Sequence, residues 1–278
     1  MLLQGLREHG WIEGKSLTIE WRDTDGNDEL VQARAAELVN AGVELIVANA
    51  TAPVQAARRA TTTLPIVGVF GDPVATGLAQ SLARPGGNVT GIAMFYDGLD
   101  SKVLELAFAT LPKAKRLGYL SNPRSERLVM VGKVLAGLAA GRKSELVQFG
   151  ARTPAEIETA FATMTRERLD AVLVHVEPFL VGERGRIAKL AREAQLPTFT
   201  YSGEYVEAGC LASYGPDLKF GFHRMASFID RILKGANPGD MPIEQTTKIE
   251  LVLNLSTARE LGLTIPQAVL VRADRVID

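Results

Sequence analysis

Short apolar segments of strand length alternate with segments of helical periodicity along most of the chain. Apolar runs without polar alternation are typical of strands that are buried on both faces of a sheet. We predict such strands near 43–48, 66–70, 89–95, 116–120, 146–149, 171–176, 198–201, 211–214 and 249–253. We predict helices near 1–10, 28–40, 53–62, 74–83, 99–111, 127–140, 155–165, 181–195 and 217–234. This order predicts crossover units and parallel sheets covered by helices, and so many strands predict two sheets rather than one.

Two segments carry a different pattern. Residues 17–22 alternate apolar and polar side chains with the period of a strand, which predicts a half-exposed strand at a sheet edge. After the helix at 217–234, whose apolar side chains share one face, a glycine- and proline-containing linker precedes the last strand. Ser256 is placed to cap a short helix that ends at Gly262.

Composition excludes several classes of function. The chain has 278 residues, enough for two lobes of roughly 100–150 residues each. Its 31 Lys and Arg residues and 32 Asp and Glu residues leave a net charge of -1, so nothing favours nucleic acid as a partner. A single cysteine, Cys210, excludes an internal disulfide, and three widely spaced histidines form no metal-binding motif. We therefore expect no bound metal.

The first ten residues lack the features of a secretory signal, which needs a basic segment, an apolar stretch and a small-residue cleavage site. Leu2, Leu3 and Leu6 instead have helical spacing, and Gly10 is placed to end that helix. No apolar run is long enough to cross a bilayer. We expect either a cytoplasmic protein or a natural start upstream of the printed one.

The loops after the predicted strands carry small polar residues. In open α/β sheets, ligands bind beyond the carboxyl ends of the strands. Hydroxyl, amide and carboxylate groups occupy these positions, and they suit a small polar ligand: Asn49 and Thr51, Asp72, Tyr96 and Asp97, Ser121 and Asn122, Glu177, Ser202 and Glu204, and Asp217. The alternative is that each residue only caps the following helix, and Thr51 and Asp217 fit that interpretation well.

Catalytic motifs are weak throughout. No Gly-x-Gly-x-x-Gly follows a strand, which disfavours a dinucleotide cofactor, and the Gly141–Ser144 segment lacks the first glycine of a phosphate-binding loop. Ser213 lacks the preceding glycine of a nucleophile elbow. His175 lies in an apolar strand, which favours a buried, hydrogen-bonded structural histidine, and Glu177 alone is weak evidence for a base. We predict no cofactor and no catalytic residue, and a core position for Cys210.

Several segments of the chain carry distinctive motifs. Residues 5–14 are GLREHGWIEG, and the longest and most specific motif is SLARPGGNVTG at 81–91. Further motifs are DPV at 72–74, SYGPD at 213–217, DRILKG at 230–235, ARELGL at 258–263 and RAD at 272–274. These motifs resemble those of a bacterial ABC transporter substrate-binding family related to tryptophan- and aromatic amino acid-binding members, and residues 5–14 are similar to its GL-x-x-x-GW-x-EG signature.

The resemblance implies a type I periplasmic binding protein. Two Rossmann-like lobes are expected, the first from residues 1–100 with about 216–250, the second from 101–215 with about 251–278. Three crossovers would join them around a ligand cleft. The family pattern begins with an export signal and a first strand, which the printed sequence does not contain, so we expect the first lobe to lack that strand.

The resemblance also assigns roles to residues. Thr51 matches a hydroxyl at a helix start that receives a ligand carboxylate, and the helix dipole adds to that attraction. Asp72 and Asn122 match cleft positions in opposite lobes, and Asp217 matches the partner of a ligand ammonium. The ligand-binding set expected is Asn49, Thr51, Asp72, Tyr96, Asn122, Glu177, Tyr201 and Asp217, with the tyrosines, including Tyr205, as apolar walls or as core and surface residues.

The function expected from the resemblance is a non-enzymatic receptor of an ABC importer. It would close like a hinge on a small, amino acid-like ligand and present it to a membrane permease, in the periplasm or anchored by lipid outside the inner membrane. A ligand-sensing regulatory domain of the same fold is the first alternative, although no DNA-binding segment is attached. A doubly wound enzyme is the second alternative, although the sequence offers no nucleophile and base pair.

Overall fold

The computed structural model describes residues 1–24, 28–94, 98–246 and 249–278. The chain forms two compact units, which we call unit 1 (Met1–Tyr96 and Asp217–Thr247) and unit 2 (Asp97–Pro216 and Lys248–Asp278). The chain therefore passes from one unit to the other three times.

Helices and strands alternate along both units. The helices are α1 (Leu2–Glu8), α2 (Val31–Asn40), α3 (Thr51–Ala60), α4 (Leu99–Thr110), α5 (Glu126–Gly141), α6 (Pro154–Arg166), α7 (Pro178–Gly182), α8 (Arg184–Glu193), α9 (Gly203–Glu207), α10 (Leu218–Leu233), α11 (Leu255–Glu260) and α12 (Gln267–Leu270). The strands are β1 (Ile46–Asn49), β2 (Ile66–Phe70), β3 (Val89–Ala93), β4 (Arg116–Ser121), β5 (Glu145–Gly150), β6 (Ala171–Val174), β7 (Thr198–Thr200), β8 (Ala212–Pro216), β9 (Glu244–Gln245), β10 (Ile249–Asn254) and β11 (Arg275–Ile277). The predicted α/β class with two sheets is confirmed.

Unit 1 contains a four-stranded parallel sheet in the order β1-β2-β3-β9. Successive side chains of β2 point to opposite faces, as the period of a strand requires. Ile66 and Phe70 pack in one apolar cluster with Val54 of α3. Val67 and Val69 pack in a second cluster with residues of α10. Both faces of this strand are therefore buried, which explains its unbroken apolar sequence.

In unit 1, α1 packs closely against α10. A Cβ atom built on Gly5 would lie 2.8 Å from the Cβ of Ala226 and 2.8 Å from the carbonyl oxygen of His223. The indole N–H of Trp11 donates to Oδ1 of Asp230 at 2.9 Å. The GL-x-x-x-GW segment therefore has a packing role. Gly5 permits the close approach of α1 to α10, and Trp11 adds a hydrogen bond to α10.

Unit 2 contains a seven-stranded sheet in the order β11-β10-β8-β7-β6-β4-β5. The pair formed by β10 and β8 is antiparallel, and the other pairs are parallel. Tyr119 and Leu173 pack in one buried cluster with residues of α4 and α5. Leu120 and Val174 pack in the opposite cluster with α6 and α8.

Two predicted elements are wrong. Residues 17–22 form no strand, and the backbone pairing there is an isolated bridge between Glu13 and Leu17. The predicted alternation is present in side-chain exposure over 17–20, since Leu17 and Ile19 are half-buried whereas Thr18 and Glu20 are exposed. A strand also needs a second segment whose backbone hydrogen-bonds with it, and the side-chain pattern of one segment does not show whether such a partner exists.

Residues 74–83, predicted as a helix, form turns instead. Oδ1 of Asp72 accepts the N–H groups of Val74 and Ala75 at 2.9 and 3.0 Å. The backbone of Gly77 has a φ of 70°, a conformation that a helix does not contain. Local side-chain bonding and this glycine therefore divert the backbone from helical pairing.

The predicted helix at 181–195 is divided into α7 and α8, and the short helix α11 begins one residue before Ser256. The side chain of Asn254, not of Ser256, caps α11 by accepting the N–H of Thr257 at 2.8 Å. The helix thus exists as predicted, but its cap is wrong. No described helix is long and apolar enough to cross a membrane.

Candidate functional site

The first group of predicted site residues lies at the carboxyl ends of β1 and β2 in unit 1. Asn49 ends β1 and is exposed, and Thr51 begins α3. The hydroxyl oxygen of Thr51 accepts the N–H of Gly71, which directly follows β2, at 3.0 Å. This bond brings the two loops together, as expected for neighbouring parallel strands.

Ala50, between β1 and α3, has an unusual backbone conformation with φ 83° and ψ 157°. That region is almost exclusive to glycine and costs a residue with a Cβ atom about 1–3 kcal/mol. Such strain persists only where the surrounding structure imposes it, and it concentrates at functional sites. The strained position of Ala50 could not be predicted, because nothing in the sequence distinguishes this alanine from any other.

The amino end of α3 lacks a capping side chain. The carbonyl oxygen of Ala50 accepts the N–H of Val54, and Pro53 has no N–H. Within the described ranges, no acceptor pairs with the N–H groups of Thr51 and Ala52. Two donors and the positive end of the helix dipole are therefore present together, an arrangement that attracts an anion.

Asp72 has a local capping role, the alternative to ligand contact. Its Oδ1 closes the turn that follows β2, and its carbonyl oxygen accepts the hydroxyl of Thr76 at 2.6 Å. Tyr96 and Asp97 lie outside the described residues. The structure thus brings Thr51 close to the Gly71–Asp72 loop, and Asp72 shapes that loop.

Three further predicted residues begin helices or turns. Oδ1 of Asn122, after β4, accepts the N–H of Arg124 at 3.0 Å. Oε1 of Glu177 caps α7 through the N–H of Leu180 at 3.3 Å. Oδ1 of Asp217 caps α10 through the N–H of Phe220 at 3.1 Å. Asn122 and Glu177 belong to unit 2, and Asp217 is the residue at which the chain re-enters unit 1.

A buried polar cluster lies in unit 2 near the carboxyl ends of β6 and β7. We call the side chains of Asp100, Tyr119, His175 and Tyr201 the His175 cluster. Nδ1 of His175 lies 3.1 Å from Oδ1 of Asp100 and 3.0 Å from the hydroxyl of Tyr119. Nε2 lies 3.1 Å from the hydroxyl of Tyr201, which donates to the carbonyl oxygen of Val176 at 2.9 Å. The prediction of a buried, hydrogen-bonded histidine is confirmed.

Aromatic packing encloses this imidazole. The rings of Tyr119 and Tyr201 meet it edge to face, with centroid distances of 6.2 and 5.3 Å. The sequence gives no sign that Asp100 and Tyr119 belong to this cluster. Asp100 reads as an ordinary acidic residue in the first turn of α4, and Tyr119 as one apolar residue of a strand. No local pattern connects positions this far apart in the chain.

Two other residues are core residues. Tyr205 is fully buried, and burial holds the pKa of its hydroxyl well above the ordinary value. Cys210 is buried as predicted, and desolvation raises the pKa of its thiol to about 12, so it is inert at neutral pH. In the part of the chain that the structure describes, no group of three or more His, Cys, Asp or Glu side chains could hold a metal ion.

Comparison with known proteins gives matches that extend over nearly the whole chain. The model of the family described as ABC transporter substrate binding protein matches residues 2–277. A tyrosine-binding protein of Clostridioides difficile (strain R20291) is 28% identical over 262 residues, which cover 94% of this chain and 75% of that protein.

Two solved structures are also similar to nearly the whole chain. A conserved domain protein of Vibrio cholerae is 32% identical, with a TM-score of 0.86. An ABC domain from Streptococcus pneumonia, solved in complex with L-Trp, is 27% identical, with a TM-score of 0.85. Each similarity covers 99% of this chain and 92% of the other. The matched family and the ligand-bound relative are binding proteins rather than enzymes.

Proposed function

The chain belongs to the ABC transporter substrate-binding protein family, and on that premise we propose that it is the receptor of an importer for an aromatic L-amino acid. Relatives described as binding tyrosine and L-Trp support this ligand class. An amino acid presents a carboxylate and an ammonium group, so its receptor needs donors at one end and a carboxylate at the other. The predicted site residues include both kinds of group, namely the N–H donors at the start of α3 and the carboxylate of Asp217.

The observation that carries the proposal is the unpaired amino end of α3. The N–H groups of Thr51 and Ala52, together with the helix dipole, suit a ligand carboxylate. Because the Thr51 oxygen already accepts the N–H of Gly71, its own hydrogen points elsewhere and can serve as a third donor. We assign the ligand carboxylate to this position.

For the ammonium group we propose Asp217. One of its oxygens caps α10, and a carboxylate accepts several hydrogen bonds at once. Tyr201 and Tyr96 would contact the aromatic side chain, and Asn49, Asp72, Asn122 and Glu177 would contribute polar contacts or shape the loops that carry them. This assignment rests on the family resemblance and on the position of each residue after a strand.

Binding to ligands that lack one group tests the proposal. Calorimetry should detect binding of L-tryptophan or L-tyrosine, and no measurable binding of tryptamine, which lacks the carboxylate, or indole-3-propionate, which lacks the ammonium. L-Alanine controls for the aromatic side chain. Equal binding of tryptamine and tryptophan would overturn the role of α3, and conversion of the ligand during the measurement would favour an enzyme.

The partner and the location follow from the same proposal. We propose that the protein acts outside the inner membrane, in the periplasm or held by a lipid anchor, and delivers its ligand to an ABC permease. Fractionation of cells that express the natural gene tests the location. Ligand-dependent co-purification with the permease tests the partner. Recovery only in the cytoplasm would contradict both and favour a regulatory domain.

A further inference from the structure

The helix α5 of unit 2 is apolar on every face. Between residues 128 and 141 its sequence is LVMVGKVLAGLAAG, in which Lys133 is the only charged or polar side chain. A helix of this composition is ordinarily buried on all sides. Unit 2 covers one side of it, where Leu135 and Ala139 pack in the buried cluster with residues of α4. The composition of α5 therefore predicts a second apolar environment for its other side.

That other side of α5 is exposed. Met130, Val134 and Leu138 follow one another at a spacing of four residues, which places them on one face of the helix, and they are 56%, 57% and 48% exposed. A Cβ atom built on Gly137 or Gly141 would meet nothing within 4 Å. We call these five residues the α5 face. Exposed apolar side chains that lie next to one another mark interaction surfaces, whereas single ones are ordinary.

Exposed cations lie at both ends of the α5 face and beside it. Arg124 precedes α5, Lys133 lies in its middle, and Arg142 and Lys143 directly follow it. None of the ion pairs in the described part of the chain involves these four side chains. The α5 face is therefore apolar at its centre and positively charged around it.

The elements that pack most closely against α5 do not neutralise this charge. They are α4, β4 and β5, and their described residues include three carboxylates. Each carboxylate contacts another residue instead: Asp100 contacts His175, Glu105 contacts Lys102 and Glu145 contacts Arg116. The complementary negative charge must therefore come from a partner.

We propose that the α5 face docks on an anionic lipid surface, with α5 lying in the plane of the membrane. Lysine and arginine side chains are attracted to anionic headgroups, while Met130, Val134 and Leu138 enter the apolar boundary beneath them. The long stem of Lys133 allows its ammonium to reach the headgroups. With 16 residues, α5 is shorter than the roughly 20 that a spanning helix needs, so it lies on the surface.

A protein partner fits this surface less well. Protein interfaces carry about one hydrogen bond per 100–200 Å², and the α5 face offers no polar side chain apart from the neighbouring Lys133. In a two-fold dimer the same surface of both copies meets. Crossing near Gly137 would then place Lys133 of each copy close to the basic carboxyl end of α5 in the other copy. Lipid gains from this charge, whereas a second copy is repelled by it.

Co-sedimentation of the intact protein with vesicles tests the proposal. We expect binding to vesicles of phosphatidylcholine with phosphatidylglycerol and none to phosphatidylcholine alone. Raising the salt from about 0.05 M to about 0.5 M should weaken the binding, because screening shortens the range of the attraction. Absence of binding to the anionic vesicles, or binding that is equal for both kinds of vesicle, would overturn the proposal.

Paired variants assign the binding to α5. Lys133→Glu with Lys143→Glu should lower the partition coefficient at least about tenfold. Val134→Gln with Leu138→Gln should lower it at least about fivefold. The matched control combines Ile12→Gln with Lys15→Glu, an exposed apolar residue and an exposed cation of unit 1, and should bind like the wild type. Circular dichroism verifies that each variant is folded. Wild-type binding in both α5 variants would overturn the proposal.

A fluorescent label reports which surface meets the lipid. The protein with Met130→Cys can be labelled at that position alone, because the native Cys210 is buried. An environment-sensitive label at 130 should shift to shorter wavelength on anionic vesicles, whereas the same label at Ile12→Cys should not. Equal shifts at both positions would overturn the assignment to α5. So would a dimer detected by analytical ultracentrifugation without lipid, if Val134→Gln with Leu138→Gln abolishes it, since a second copy would then cover the face.

Discussion

The indole N–H of Trp11 donates to the carboxylate of Asp230, although the two residues lie 219 positions apart in the chain. The same carboxylate lies 2.7 Å from the ammonium of Lys234, which directly follows α10. Asp230 thereby joins the segment after α1 to α10, the long helix of unit 1. We expect the removal of this contact to lower the free energy of unfolding.

Trp11→Phe should lower the free energy of unfolding by about 1.5–3 kcal/mol, because it deletes a hydrogen bond to a charged group and leaves the carboxylate with one partner fewer. Urea denaturation measures the change. Trp21→Phe is the matched control, since Trp21 is 67% exposed, and it should have little effect. Equal losses in both variants would show that the Trp11–Asp230 bond adds nothing.

The pH dependence of stability should report on Asp230. The hydrogen bond from Lys234, followed by that from Trp11, lowers the pKa of this carboxyl below its ordinary value. A lowered pKa in the folded state stabilises the protein above the unfolded value of about 3.9, and this stabilisation is lost as the pH falls through the folded value. Asp230→Asn should be less stable than the wild type at pH 6, and the difference should narrow below about pH 4. If the difference in stability between the two proteins stays constant from pH 6 to below pH 4, the lowered pKa of Asp230 does not contribute to stability.

Gly5→Ala should destabilise unit 1 by about 1–3 kcal/mol, because the added methyl group meets the Ala226 Cβ and the backbone of α10 at 2.8 Å. Gly137→Ala in α5 makes the same chemical change where nothing lies within 4 Å of the new Cβ. It should raise stability by about 0.5–1 kcal/mol, since alanine favours a helix interior over glycine. Thermal denaturation of both variants gives the comparison.

Ala50→Gly should raise stability by about 1 kcal/mol, since glycine adopts this backbone conformation without steric cost but gains freedom in the unfolded chain. Ala50→Val should lower stability, because a β-branched side chain tolerates positive φ poorly. Chemical denaturation measures both. If Ala50→Gly proves clearly less stable than the wild type, the strain assigned to this position is absent.

Asp217→Asn should weaken L-tryptophan binding at least about tenfold, about 1.4 kcal/mol, by removing a charge opposite the ligand ammonium. Asparagine caps helices as well as aspartate does, so α10 should remain intact. Circular dichroism and the unfolding midpoint verify that folding is retained. Asp240→Asn, a change at an exposed residue of unit 1, is the control and should bind normally. Unchanged affinity in Asp217→Asn would remove this residue from the site.

Strand and helix order were largely predictable from the sequence. An unbroken apolar run such as β2 reveals burial on both faces, and caps such as Asp217 declare where a helix begins. Residues 17–22 show the limit, because their alternation described burial correctly only over 17–20, where it ends at the exposed Trp21, and predicted a strand pairing that does not form. Residues 74–83 show a second limit. Their apolar pattern predicted a helix, but the side chain of Asp72 accepts the N–H groups of Val74 and Ala75 and forms a turn instead. Local patterns report side-chain preference, whereas strand pairing is a property of two segments.

The sequence by itself determined the α/β class, the family resemblance and the loops in which polar residues follow strands, because each of these is written in neighbouring positions. Only the tertiary structure decided that Asp100, Tyr119 and Tyr201 surround His175, and that Ala50 is held in a strained conformation before Thr51. Hydrogen bonds join atoms that are close in space, and spatial closeness between distant positions arises only when the whole sheet has formed.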